Sequence, residues 1–325
     1  MIDFCILGSG IAGSTIANLL SKKHTVEVFD KARGPGGRCS NKRYKNNLNF
    51  DHGAQYISPK SKKFTSFIKK LYNTKIIKKW NGLHLDLNFK NIKNKTKYIG
   101  KNANNDICKY LLKGVKINYL SEIINIKNIN NYWQITLQNK KTYNFKNLIL
   151  TCPYPQVKNL ANKYLDPKKF NLKLKMSPNI TVLTVYKNYK NLPISSIKFN
   201  DNVLSWAANE NSKKRFKTNL SLWTLQSTTQ WSNKKINSYK KNKNTVIKEL
   251  EKRFEELTGF NKKSKIFNHI HGWKYSYNLK STKMNSFWNN KLGLGVCGDW
   301  FLGPKAEDAW TSSTALYNKI KKNPL

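Results

Sequence analysis

The sequence predicts an α/β fold in which a parallel-sheet domain is interleaved with a smaller α+β domain. Three observations lead there. The first thirty residues read strand, glycine-rich turn, helix, strand. The last forty carry a second glycine-rich turn before a helix, in "LGLGVCGDWFLGPKAEDAW". Between them, from about 175 to 285, alternating aromatic-rich strands are joined by polar loops, with no low-complexity linker or repeat. The chain's two ends then build one domain and its middle builds the other.

The opening segment justifies the parallel sheet. Residues 2–7 form a short apolar run that suits a strand buried on both faces. Residues 11–22 place Ile11, Ile16, Leu19 and Leu20 on one helical face. Residues 25–29, "TVEVF", alternate as a second strand. The first turn is G-x-G-x-x-G, made by Gly8, Gly10 and Gly13, with Ala12 in the opening helical turn. Gly8 permits the tight turn, Gly10 lets a pyrophosphate approach the helix N-terminus, and Gly13 lets helix and strand pack closely. Asp30 ends the second strand, where a carboxylate accepts hydrogen bonds from a ribose, and Lys31 follows it. Strand, helix, strand and acid in register describe a Rossmann-type dinucleotide site.

The next segments narrow the dinucleotide. "DKARGPGGRCSN" sets Gly36, Gly37 and Arg38 directly after the second strand. Its glycines let backbone pass close to a ligand, and Arg38 suits a phosphate or the edge of a flavin. "FDHGAQYIS" offers Gly53, Ala54, Gln55 and Tyr56 beside it. Residues 61–73 read as a helix. Residues 98–155 read as a helix followed by short strands, the last of them "NLILTCP", ended by Pro153 and Pro155. Ile123 stands where the adenine is expected, a placement made by position. At the C-terminus, Gly298 and Asp299 follow a short strand, and Asp308 falls where the final helix starts.

Composition bounds the rest. Of 325 residues, 39% are hydrophobic, enough for a packed interior. No apolar run approaches the roughly 20 residues of a membrane helix, and no secretory leader is expected. Cys5, Cys39, Cys108, Cys152 and Cys297 are odd in number and include no CxxC, so neither a disulfide framework nor a zinc site is indicated. His269 and His271 alone do not make a metal site, and no metal is expected. The expected location is cytoplasmic. The net charge of +43 raises nucleic acid as a partner. Against that, arginine supplies only Arg33, Arg38, Arg43, Arg215 and Arg253, and the lysines are scattered. A chain-wide Lys/Asn/Ile bias accounts for the charge, so no dedicated nucleic-acid partner is expected.

The stretches "GSGIAGS", "DKARGPGGRCS", "FDHGAQYIS", "LSWAANENSKK", "QSTTQWS", "HGWKYS" and "GDWFLGPKAEDAWTSS" run in order from residue 8 to residue 313. Together they resemble the renalase-like proteins of the FAD-dependent amine-oxidase superfamily. Ser313 departs from that pattern, where the family helix often has glycine. The resemblance implies FAD as cofactor, an amine-oxidase-like architecture, and Asp299 hydrogen-bonded beside the ribityl chain or pyrophosphate. The domain division it supports is 1–75, 98–165 and 288–325 for FAD, and 76–97 and 166–287 for substrate. It implies hydride transfer from a dihydronicotinamide isomer of NAD(P) to the flavin, with O2 as acceptor and H2O2 as product. The substrate is then a small molecule, a dinucleotide. Trp206, Asn209, Trp273 and Tyr275 are the candidate substrate-pocket residues, and no side chain is assigned as acid or base. Two alternatives stay open: a flavin amine oxidase or desaturase with a small apolar substrate, and an inactive flavoprotein fold that binds nucleic acid or a partner.

Overall fold

The computed structural model describes the chain apart from residues 46, 87, 89, 92–95, 171–173, 188–192, 260–263 and 323–325. The opening strand β1 (Ile2–Leu7), helix α1 (Ile11–Leu20) and strand β2 (Val26–Phe29) fall where the sequence places them. Strand β1 lies at the centre of an eight-stranded sheet, paired in parallel with β2 and with Thr142–Leu150. Lys116–Asn118 extends the sheet beyond β2, and Leu294–Val296 extends it in parallel on the other side. The antiparallel strands Ile123–Ile129 and Tyr132–Leu137 fold back onto Thr142–Leu150.

Both faces of β1 are covered over Phe4–Leu7, which is why that part is continuously apolar, while Asp3 at its partly open start pairs with Lys146. Phe4 and Ile6 pack with α1 and the C-terminal helix Ala306–Lys322, while Cys5 belongs to the apolar cluster that includes Trp133 and Phe145 of the same sheet. Helix α1 is sandwiched between the sheet and the C-terminal helix. It therefore buries Ser14, Thr15 and Ala17 as well as Ile11 and Ile16, and only Asn18 and Leu19 are partly open. The one-sided stripe expected from the sequence is replaced by burial nearly all round. Gly13 makes this possible: a Cβ there would lie 1.8 Å from the Gly8 carbonyl oxygen. Ser313 uses its hydroxyl to bond Ala12 O at 3.0 Å, tying the last helix to the first.

The middle of the chain forms a six-stranded sheet. Its order is Lys265–Asn278, Met176–Tyr186, Ser221–Ser227, Leu204–Asn209, Ile194–Lys198 and Leu83–Asp86. All neighbours are antiparallel except the last pair. Helix Lys243–Thr258 covers one face with Val246, Ile247, Leu250 and Phe254, against Ile180, Val182, Trp223 and Ile270. Trp223 and Trp231 belong to this core. The opposite face looks onto the first domain across a cleft.

Candidate functional site

The cleft has a volume of about 2880 Å³ and runs from α1 to the second sheet. That far exceeds the few hundred to 1,000 Å³ of a site for one small ligand. One end is a backbone cradle. Gly10 caps α1 with no side-chain cap bond, and the first helical turn carries no acid. Gly10, Ile11 and Ala12 all line the cleft. An uncapped helix N-terminus presents free N–H groups and a partial positive charge. Gly36 bridges to Gly10 and donates its N–H to Ser9 O at 3.0 Å, so the two glycine turns form one wall.

Asp30 organises this cradle. Its Oδ2 accepts from Ser9 N at 2.7 Å and Ser9 Oγ at 2.6 Å, and its Oδ1 accepts from Ala32 N at 2.8 Å. Lys31 pairs with Glu122 at 3.5 Å at the cleft edge, where Ile123 also lies. Arg38 and Asp299, 261 residues apart, form a two-pronged pair: NH1 to Oδ2 at 2.7 Å and NH2 to Oδ1 at 2.5 Å. Arg38 NH1 also donates to Ser276 O at 2.9 Å. The residues expected to meet a ligand separately are thus joined to each other in the cleft lining. Burial works against the Arg38 charge, but Asp299 outweighs it and holds the guanidinium pKa above its ordinary value.

The second sheet supplies the roof. Register places Lys198, Trp206, Gln226, Thr181 and His271 in one row across five strands. All of these except Thr181 line the cleft, as do Trp273, Tyr275 and Tyr277. Gln226 Nε2 donates to Gly53 O at 2.8 Å, and Trp273 Nε1 donates to His52 O at 2.8 Å. These bonds fasten the roof to the 51–56 loop. The Trp273 ring stacks on His52 at 5.3 Å, and His271 meets His52 edge-on at 4.9 Å. Burial first, then neighbouring positive charge, pushes the His52 pKa down to about 3 and that of His271 down to about 4. Among the described residues no group of three His, Cys, Asp or Glu is set to hold a metal ion.

Below the loop lies a sealed ionic cluster. Lys213 Nζ is 2.7 Å from Asp51 Oδ2, 2.8 Å from Glu210 Oε2 and 3.0 Å from Gln55 Oε1. Arg215 NH1 reaches the same Asp51 oxygen at 2.5 Å, and its NH2 donates to Gly100 O and Asn104 Oδ1, each at 3.0 Å. Although burial opposes it, the Lys213 and Arg215 charges hold Asp51 well below the usual carboxylate range. Burial wins at Glu210 and raises its pKa. The cluster fixes residues 51–55, 100–104 and 210–215 to one another.

Of the residues the sequence singles out, Gly8, Gly10, Ala12, Asp30, Lys31, Gly37, Arg38, Gly53, Ala54, Gln55, Tyr56, Ile123 and Asp299 line one cleft with Trp206, Trp273 and Tyr275. Gly13 and Gly298 stand behind the lining. A Cβ on Gly53 would sit 2.0 Å from Arg38 O, so its closest approach is to protein backbone. Gln55 turns its amide into the ionic cluster. Asp308 is outside the lining and accepts from Lys305 N at 2.9 Å at the start of the last helix. Asn209 is also outside it: buried, it donates to Ile194 O at 3.0 Å and accepts from Asn211 N at 3.1 Å. Glu307, not foreseen, accepts from Lys60 N and Ser61 N at 2.8 Å each and ties the last helix to Lys62–Asn73. Gln226, His52, Lys97 and the ionic cluster were also missed. The stretches "FDHGAQYIS", "LSWAANENSKK" and "QSTTQWS" contain Asp51, His52, Glu210, Lys213 and Gln226 without giving them a role, and no local signal marked Lys97 or Arg215.

Comparison with known proteins agrees with this architecture. Residues 6–71 match the family model of an NAD(P)-binding Rossmann-like domain. An uncharacterised protein of Methanocaldococcus jannaschii is 25% identical over 60% of this chain, which spans 64% of that relative's length. Among solved structures, a protein of Exiguobacterium sp. assigned as a protoporphyrinogen oxidase superposes with a TM-score of 0.75 at 10% identity, covering 99% of both chains. A single-substitution variant of putrescine oxidase, made in a redesign of its cofactor binding, gives 0.73 at 9% identity, again covering 99% of both. An oxidoreductase of Methanosarcina mazei gives 0.70 at 13% identity, covering 98% of this chain and all of its own. The chain has an α/β, amine-oxidase-like fold with a Rossmann-like dinucleotide-binding domain.

Proposed function

We propose that the chain is an FAD-dependent oxidoreductase of renalase-like type. It oxidises a dihydronicotinamide isomer of NAD(P), with dioxygen as acceptor and hydrogen peroxide as product. The observation that carries this is the uncapped, acid-free N-terminus of α1, open to a cleft large enough for a dinucleotide and a substrate together. Gly8, Gly10 and Ala12 would hold the pyrophosphate, Asp30 the adenosine ribose, and Ile123 the adenine. Gly37, the Arg38–Asp299 pair and the Gly53–Tyr56 loop would face the rest of the cofactor. When bound, FAD supplies the acceptor for a substrate hydride. The protein's part is to orient substrate beneath Trp206, Trp273 and Tyr275. The domain division stated above follows from this reading. No helix among the described residues is long and apolar enough to cross a membrane. The five cysteines are free and buried, which fits a reducing, cytoplasmic setting.

The test is anaerobic addition of a 6-dihydro isomer of NAD to the flavin-loaded protein. The reading expects the visible flavin band to bleach, then to return in air with one peroxide per substrate oxidised. A band that ignores the isomer but bleaches with an amine would replace this reaction by amine oxidation.

A further inference from the structure

Two lysines are buried among the described residues, and they are treated differently. Lys213 has two carboxylates within 2.8 Å. Lys97 is 5% exposed and pairs with no carboxylate among the described residues. Its ammonium sits 5.3 Å from the centre of the Tyr56 ring, and it lines the cleft. A cation–π contact alone is a weak substitute for a carboxylate beside an ammonium that faces a cleft. Burial correspondingly lowers the Lys97 pKa. The nearby His84 carries no negative charge in either state, and burial, then the Lys97 charge itself, brings its pKa down to about 4.

The surroundings are those of a planar ligand. Tyr56 packs 6.2 Å from Trp80 and 6.1 Å from Trp206. Tyr56 and Trp206 both line the cleft. The Trp206 indole N–H is buried and has no hydrogen-bond partner among the described residues. An indole donor without an acceptor and an ammonium without an anion therefore flank the same tyrosine. One bound acid would satisfy both.

We propose that Lys97 is a substrate-binding residue, and that with Trp206 it receives a carboxylate or phosphate carried by a planar substrate. This rests on the reading of the cleft as a chamber for cofactor and substrate. It also specifies what the chamber rejects: a cationic amine would place like charge beside Lys97.

The experiment is calorimetric titration of the flavin-free and flavin-loaded protein with benzoate, phenyl phosphate and neutral benzamide. At least one acid should bind more tightly than benzamide, and the tighter of the two identifies the acidic group. Lys97→Met should weaken that binding at least about tenfold and leave benzamide unchanged. Lys62→Met, on an exposed helix start, should alter nothing. Acid binding that survives Lys97→Met, or benzamide binding as tightly as both acids, would overturn the proposal. Should that variant fail to fold, reductive methylation of the unaltered protein decides: the acid should shield Lys97 from the reagent, and equal labelling with and without it contradicts the proposal. A protein that binds acids through Lys97 yet takes up no FAD would sink the proposed function alone. A flavin-loaded protein whose Lys97 ignores acids would sink this inference alone.

Discussion

Replacing Lys213 by methionine isolates the ionic cluster that holds the cleft floor. Asp51, Glu210, Lys213 and Arg215 balance two negative against two positive charges, with side chains at most 1% exposed. Without Lys213, Asp51 keeps Arg215 at 2.5 Å and the Asn104 N–H at 3.0 Å. Among the described residues, Glu210 keeps as hydrogen-bond partner only the Thr224 hydroxyl, at 2.7 Å, together with the more distant Arg215 charge. Breaking a buried pair typically costs about 3–5 kcal/mol. Glu210, already raised by burial, takes up a proton and limits the loss to about 3. For 325 residues the entropy of unfolding is about 0.7 kcal/mol/K, so the thermal midpoint should fall by about 4 °C. Adding Glu210→Gln removes the stranded acid and should restore about 2 kcal/mol, although Glu210→Gln alone destabilises slightly. Thermal unfolding of all four proteins, at neutral pH and one scan rate, measures this. Strict additivity, or a Lys213→Met midpoint equal to wild type, would refute the argument that the four charges act as one unit.

Three further outcomes are expected. Gly13→Ala drives a Cβ into the Gly8 carbonyl and should cost about 3 kcal/mol or more, whereas Gly34→Ala, with nothing within 4 Å, should leave the unfolding midpoint nearly unchanged. His52 and His271 titrate at about 3 and about 4 in the fold, against about 6.5 when unfolded. The unfolded chain therefore takes up protons first, so the stability they contribute is full above about pH 6.5 and declines as pH falls toward 4. Unfolding midpoints across that range should show this decline flattened in His52→Gln. Asp299→Ala strands Arg38, and Gly10→Val sets methyl groups before the helix N-terminus. A Cβ at Gly10 meets Gly37 at only 3.7 Å, so this variant should fold. Each should weaken FAD binding at least about tenfold; flavin retained by both through desalting would contradict those assignments.

How much could be read in advance depended on distance along the chain. β1, α1 and β2 were legible because strand period, helix period and the G-x-G-x-x-G spacing are local signals. The C-terminal turn and helix were legible for the same reason, and that helix starts at Ala306, two residues before Asp308. The roof was not. Trp206, Gln226 and His271 share a row only because four strands, including Met176–Tyr186 between the last two, adopt one register, and a slip of one residue would turn each away. Composition does not separate Trp206 from Trp223 and Trp231; only the resemblance singled out Trp206, which lines the cleft while the other two are core. Asn209 fits a polar pocket residue by type, but it is spent on its own turn. Arg38 and Asp299 were each assigned to a ligand because their pairing spans 261 residues. Lys97 and Lys213 could not be told from the many surface lysines, since burial of a charge leaves no mark on the residues beside it.

The most direct test of the central claim is the visible absorption spectrum of the purified protein, taken after incubation with FAD and desalting. The account expects a flavin spectrum with one FAD retained per chain. A colourless protein, with all added FAD in the filtrate, would contradict it.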